Sequence, residues 1–181
     1  RAIRWLGAAT MTLLSLASVA SAAPAQGDYN GDGISDLAVA NVNRNAKTTS
    51  WVVRNTANGQ TVGYNFNVPG DALVTGKWYG DGRTYAGVVY VRDAKKPLEW
   101  YLKNPQGAEV FLNYGLPGDT VPNQGDMDCD GVTDLVVARN ISGYKIWFIA
   151  LSSRGGTIMQ DLFGLATDRI AVADMDGDGC S

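Results

Sequence analysis

Gly27-Asp28-Tyr29-Asn30-Gly31-Asp32-Gly33-Ile34-Ser35-Asp36 returns later in the chain as Gly125-Asp126-Met127-Asp128-Cys129-Asp130-Gly131-Val132-Thr133-Asp134. Five places keep the same residue, and a shorter copy, Ala173-Asp174-Met175-Asp176-Gly177-Asp178-Gly179-Cys180-Ser181, follows. A degraded copy, Gly76-Lys77-Trp78-Tyr79-Gly80-Asp81-Gly82-Arg83-Thr84-Tyr85, falls between the first two. The second residues of the four copies, Asp28, Lys77, Asp126 and Asp174, step by 49, 49 and 48 residues. A fixed period of this length marks a repeat architecture.

Other landmarks keep the step. Trp51, Trp100 and Trp147 recur, as do Pro69-Gly70-Asp71 and Pro117-Gly118-Asp119, with Ala166-Thr167-Asp168 in the third place. Short apolar or alternating runs bounded by turn residues predict four strands per unit. In the first unit they are Asp36 to Ala40, Thr49 to Asn55, Thr61 to Val68 and Leu73 to Lys77. The second gives Ala86 to Arg92, Leu98 to Asn104, Ala108 to Tyr114 and a weak segment after Asp119; the third gives Asp134 to Arg139, Tyr144 to Leu151, Gly156 to Leu162 and Arg169 to Ala173. Four strands per 40 to 50 residues is the pattern of a β-propeller blade. The expected fold is therefore all-β, with four antiparallel strands per blade and units at 27–75, 76–124, 125–172 and a fourth beginning at 173–181. About three blades are expected, as a fragment of a larger propeller.

The repeated loops carry the chemistry. Counting from Asp28, oxygen-bearing side chains stand at positions 1, 3, 5 and 9: Asp28, Asn30, Asp32 and Asp36. Calcium takes six to eight oxygens, and alternate acidic residues in a tight loop converge on one point, with Ile34 at position 7 offering its carbonyl. Asp126, Asp128, Asp130, Val132 and Asp134 repeat the set, and Asp174, Asp176, Asp178 and Cys180 repeat it in part. Position 12 is Val39 or Val137 rather than Glu, so the loops lead into strands and the EF-hand pattern does not fit. In the degraded loop Lys77, Tyr79 and Tyr85 replace three ligands; no calcium is expected there, and the Lys77 ammonium is expected to take over the cation's role, holding Asp81 and nearby carbonyls.

Composition fits a carboxylate site and excludes others. The 181 residues contain no His, so no His-based nucleophile, zinc site or imidazole base exists. Of 18 acidic residues only Glu99 and Glu109 are Glu, and the Asp excess matches demand for short ligands. Net charge is -3 with no basic cluster beyond Lys95-Lys96, which excludes the footprint of a nucleic-acid binder. Arg1 and Arg4, the apolar run from Trp5 to Ala20 and the small-x-small site Ala20-Ser21-Ala22 read as an export signal over 1–22, followed by a linker at 23–26. No membrane span is expected in the mature chain, which is expected outside the cell. Trp51, Trp100 and Trp147 read as packing residues between neighbouring sheets, with a sugar-stacking platform as the alternative. Cys129 and Cys180 stand at positions 4 and 7 of neighbouring loops; a bridge between them and a partner elsewhere both remain open.

The loops at Asp28 to Leu37 and Asp126 to Leu135 resemble those of the FG-GAP and VCBS repeat family, whose pattern is Asp-x-Asn/Asp-x-Asp-Gly-x-x-Asp-Leu before a hydrophobic strand. The resemblance covers residues 27–181 and implies a calcium-stabilised β-propeller, usually of seven blades. It implies binding rather than catalysis: a secreted module with structural ions, presenting loops to a carbohydrate, extracellular protein or cell-surface ligand, as in adhesion. The alternatives are a non-catalytic scaffold of a larger secreted enzyme and an assembly module that self-associates through open blade edges. No catalytic residue is expected.

Overall fold

The computed structural model describes residues 27–181 as ten strands in three antiparallel sheets, with one short 3-10 turn at Ser152–Arg154. The all-β class expected from the repeats holds, and the export signal and linker lie outside the described residues. Sheet one is β1 (Leu37–Asn43), β2 (Thr48–Arg54) and β3 (Thr61–Phe66), in that order. Sheet two is β4 (Ala72–Gly76), β5 (Tyr85–Tyr90), β6 (Glu99–Lys103) and β7 (Glu109–Asn113). Sheet three is β8 (Leu135–Ile141), β9 (Tyr144–Leu151) and β10 (Thr157–Leu165), with β9 in the middle.

Local chemistry sets the hairpins. Ser142 and Gly143 both take positive φ, 52° and 89°, which gives the two-residue turn between β8 and β9 the twist that antiparallel strands need. Asn55 and Asn104, 49 residues apart, fold the β2–β3 and β6–β7 turns in one way: the side-chain oxygen of each accepts two amides within the turn, at 2.8 to 3.0 Å.

The segment expected to close the first unit, Leu73 to Lys77, forms the strand β4 (Ala72–Gly76). It pairs instead with β5, from Ala72↔Val89 to Gly76↔Tyr85, and so opens sheet two. In sheet three the equivalent segment touches β8 only at its ends, Thr120↔Ala138 and Gly125↔Asp134. Pro122 has no N–H to give to a ladder. The Gln124 side chain fills the gap, accepting the Val136 amide at 2.6 Å and donating to the Val136 carbonyl at 3.2 Å. Arg169 to Ala173, expected as a strand, has no strand pairing, yet Ile170 and Val172 pack on sheet three.

Each sheet has a tryptophan face and an opposite face. Trp51 and Phe66 of sheet one pack against Ala86, Val88 and Tyr101 of sheet two. Trp100, Val89 and Leu102 on the other side of sheet two pack against Leu135, Val137 and Phe148 of sheet three. Trp147, Val136, Ala138 and Ile149 line the far side of sheet three, covered in part by Ile170 and Val172. The tryptophans are packing residues, as their period suggested. The Trp100 and Trp147 indoles donate to the Tyr114 and Phe163 carbonyls at 2.8 Å, whereas the buried Trp51 indole nitrogen has no acceptor.

The Pro-Gly-Asp turns anchor the sheets to one another. Asp119 accepts two bonds from Arg139 on β8, at 2.7 and 2.9 Å, while capping the Leu116 amide. Arg139 also lies over the Phe148 ring, 4.5 Å from its centroid. Asp71 does the equivalent task with Arg44 and the Val91 amide.

Candidate metal centre

The four loops share one backbone whether or not their acidic residues survive. Position 4 has positive φ in all of them, at Gly31, Gly80, Cys129 and Gly177, and so does position 6, at Gly33, Gly82, Gly131 and Gly179. Glycine takes this conformation without strain, and Cys129, at φ 63°, is the exception. The position 5 carboxylate accepts the position 7 amide in every loop: Asp32 from Ile34, Asp81 from Arg83, Asp130 from Val132 and Asp178 from Cys180, at 2.8 to 3.1 Å.

Position 1 carboxylates sit in a nest of amides. Asp28 accepts from Gly31 and Gly33, Asp126 from Asp130 and Gly131, and Asp174 from Gly177 and Gly179, at 2.6 to 3.1 Å. For Asp174, desolvation pushes the carboxyl up, but the Gly177, Gly179 and Asp178 amides overcome it and hold the group below the usual carboxylate range. The amides orient all three carboxylates within their loops.

Two clusters follow. Asp126, Asp128 and Asp130 bring one oxygen each within 4.8 Å of one another, and Asp174, Asp176 and Asp178 do the same. Loop one has Asn30 at position 3, and its Asp32 carboxylate accepts from the Asn30 and Asn55 amides. In loop three Asp128 Oδ1 is buried with no hydrogen-bond donor among the described residues. Ser152 and Ser153, just after β9, donate their hydroxyls to Asp130 and Asp128. Sequence reading missed both serines; the signal was their place at the turn where the other units carry Asn55 and Asn104.

Asp36 and Asp134, at position 9, lie apart from the clusters. Each gives one oxygen to the position 2 amide, Tyr29 or Met127, and the other to an amide beyond the next strand, Thr56 or Ser152. Burial raises the Asp134 carboxyl, against the pull of the Ser152 and Met127 amides, and the Asp128 charge adds to the rise. Cys180 is bonded to Cys129, so a disulfide with a sequence separation of 51 ties loop three to loop four. Of the two openings left by the sequence, the bridge within the chain is the one formed.

The degraded loop satisfies itself differently from the expectation. Asp81 accepts the Tyr85 hydroxyl at 2.5 Å, and the Tyr79 and Tyr85 rings meet edge to face with centroids 5.0 Å apart. Tyrosines at positions 3 and 9 thus fill the space of the missing ligands. Burial lowers the pKa of Lys77, and the carboxylates that oppose this are Asp28 and Asp126 of the flanking loops.

A second concave feature, an open hollow of about 630 Å³, lies where the β1–β2 turn meets the start of β4. Asn41, Asn43, Arg44, Asn45 and Asp71 line it. Among the described residues no helix is long and apolar enough to cross a membrane. No protein-family model, no curated protein and no solved structure matches the chain.

Replacing Tyr85 by Phe removes the hydroxyl from Asp81 and leaves a polar group short of a partner. The expected cost is about 1 kcal/mol in denaturant unfolding, with no change in the response of the other loops to cations; an unchanged midpoint would show that the hydroxyl does not hold the loop.

Proposed function

We propose that the chain is a secreted calcium-binding module of β-propeller repeats, in which the ions are structural and the loops present a ligand-binding surface. The observation that carries the reading is loop three: three convergent carboxylates with Asp128 Oδ1 buried and lacking a donor among the described residues. A buried anionic oxygen without a partner is costly, and a cation removes the cost. Asp126, Asp128 and Asp130 would hold the ion there, with the Val132 carbonyl adding to the shell and Asp134 bracing the loop through the Met127 and Ser152 amides. Asp174, Asp176 and Asp178 with the Cys180 carbonyl form the partial equivalent, and Asp28, Asn30, Asp32 and the Ile34 carbonyl the first, with Asp36 in the bracing place. Hard oxygen donors without His or free thiolate suit calcium over softer metals. The ion would neutralise the turn that leads each sheet into its first apolar strand.

The disulfide supports an oxidising compartment, in keeping with export. The amide-rich hollow around Asn41, Asn43 and Asn45, with Arg44 and Asp71 at its wall, suits a polyhydroxylated ligand such as a carbohydrate displayed on an extracellular surface. A rigid stack of sheets with polar loops at its rim is a fit scaffold for such recognition.

Calcium is expected to raise the unfolding midpoint, by about 2.7 kcal/mol per site at a free ion concentration one hundred times the dissociation constant. The paired change Asp128→Ala and Asp130→Ala should remove the share due to loop three. Identical melting in calcium and in chelator would overturn the metal reading. For the ligand, binding on a glycan array should appear with the purified chain and fall with Asn45→Ala; an array without signal rejects a carbohydrate.

A further inference from the structure

The two ends of the sheet stack carry the two halves of one interface. By register, Val39 stands opposite Val52, and Leu37 opposite Arg54, on the outer face of sheet one. The positions one and two repeats later are Ala86, Val88 and Tyr101 in sheet two and Leu135, Val137 and Phe148 in sheet three. These are the residues that fill the Trp51 face and the Trp100 face. Leu37 and Val39, in contrast, are 63% and 67% exposed. At the other end of the described residues the Trp147 face is the same kind of socket, covered in part by Ile170 and Val172: a hollow of about 350 Å³ lies among Met127, Trp147, Ile149, Phe163, Val172 and Met175. Phe163 is 73% exposed and Met175 81%.

We infer that the Trp147 face of one copy of this chain receives the outer face of sheet one of a second copy, head to tail. The two interfaces inside the chain show what covers such a socket, and sheet one offers that surface with Leu37, Val39 and Val52. Charge agrees. Lys103, the sheet-two equivalent of Arg54, lies over the Phe66 ring of sheet one, 4.8 Å from its centroid. Arg54 in the same register would meet Phe163 and the neighbouring Asp161, which stands opposite Trp147. Both are exposed, so the pair complements the apolar contact across the new junction. The contact joins unlike surfaces, so each copy keeps one free end, and assembly grows until a ring closes.

The test is the mass of the purified chain in solution, measured by light scattering or sedimentation across concentration, in calcium. Wild type should pass from monomer to dimer and beyond. Val39→Lys and Phe163→Asp should each stay monomeric at concentrations at least tenfold above the wild-type transition. An equimolar mixture of the two variants should form a dimer that grows no further, because one retains an intact socket and the other an intact outer face. That rescue also shows that both variants are folded. A wild type that stays monomeric throughout, a Phe163→Asp variant that assembles as wild type does, or a mixture that stays monomeric would overturn the inference. The first of these results is also the one expected if a further segment of the same polypeptide, or an unrelated partner, covers the socket.

Discussion

Three backbone hydrogen bonds join the loops into a series. The Thr84 amide donates to the Asp28 carbonyl at 2.6 Å, Thr133 to Lys77 at 3.3 Å, and Ser181 to Asp126 at 2.8 Å. In each case position 8 of one loop reaches position 1 of the loop before it, so each of the first three loops is fixed by its successor. The approach is close enough to restrict side chains: a Cβ on Gly76 would fall 2.8 Å from Thr133, and one on Gly125 would fall 2.5 Å from Ser181. The glycine that opens these copies is required by the neighbouring repeat as much as by its own turn. The Lys77 amide adds a bond to the same series, donating to the Thr133 hydroxyl at 2.8 Å.

This relay explains why the degraded loop keeps its shape. Its backbone holds its neighbours in register, so changes at positions 1, 3 and 9 are tolerable only if another interaction keeps the loop's shape. The Asp81 to Tyr85 bond and the Tyr79–Tyr85 contact serve that purpose. The disulfide strengthens the last link, where Ser181 is the final donor and the adjacent Cys180 is tied to Cys129. Stability at the loops then passes to the sheets, because each loop leads directly into the strand that presents Leu37, Ala86 or Leu135 to its surroundings.

Much of this was legible in the repeat. The 49-residue step located the four loops, the three tryptophans and the turn aspartates, because each is a local requirement imposed once per unit. The grouping of strands was not legible. Ala72–Gly76 has the same sequence whether it closes one sheet or opens the next, and only pairing with β5 decides. The place of position 9 was hidden for a similar reason: Asp36 and Asp134 stand at ligand spacing, and the Thr56 and Ser152 amides that they accept, besides those of Tyr29 and Met127, lie 20 and 18 residues away. Spacing reports contacts within a repeat well and contacts between repeats poorly.

Native-state hydrogen exchange at Thr84, Thr133 and Ser181 tests the relay most directly, since these amides are its links. The account predicts that Thr84 and Thr133 exchange as slowly as the buried strand amides of Val88 and Val137, and that calcium slows all three together. Exchange of Thr84 and Thr133 as fast as that of the exposed turn at Gly107 would contradict it, and the sheets would then be held by their apolar faces alone.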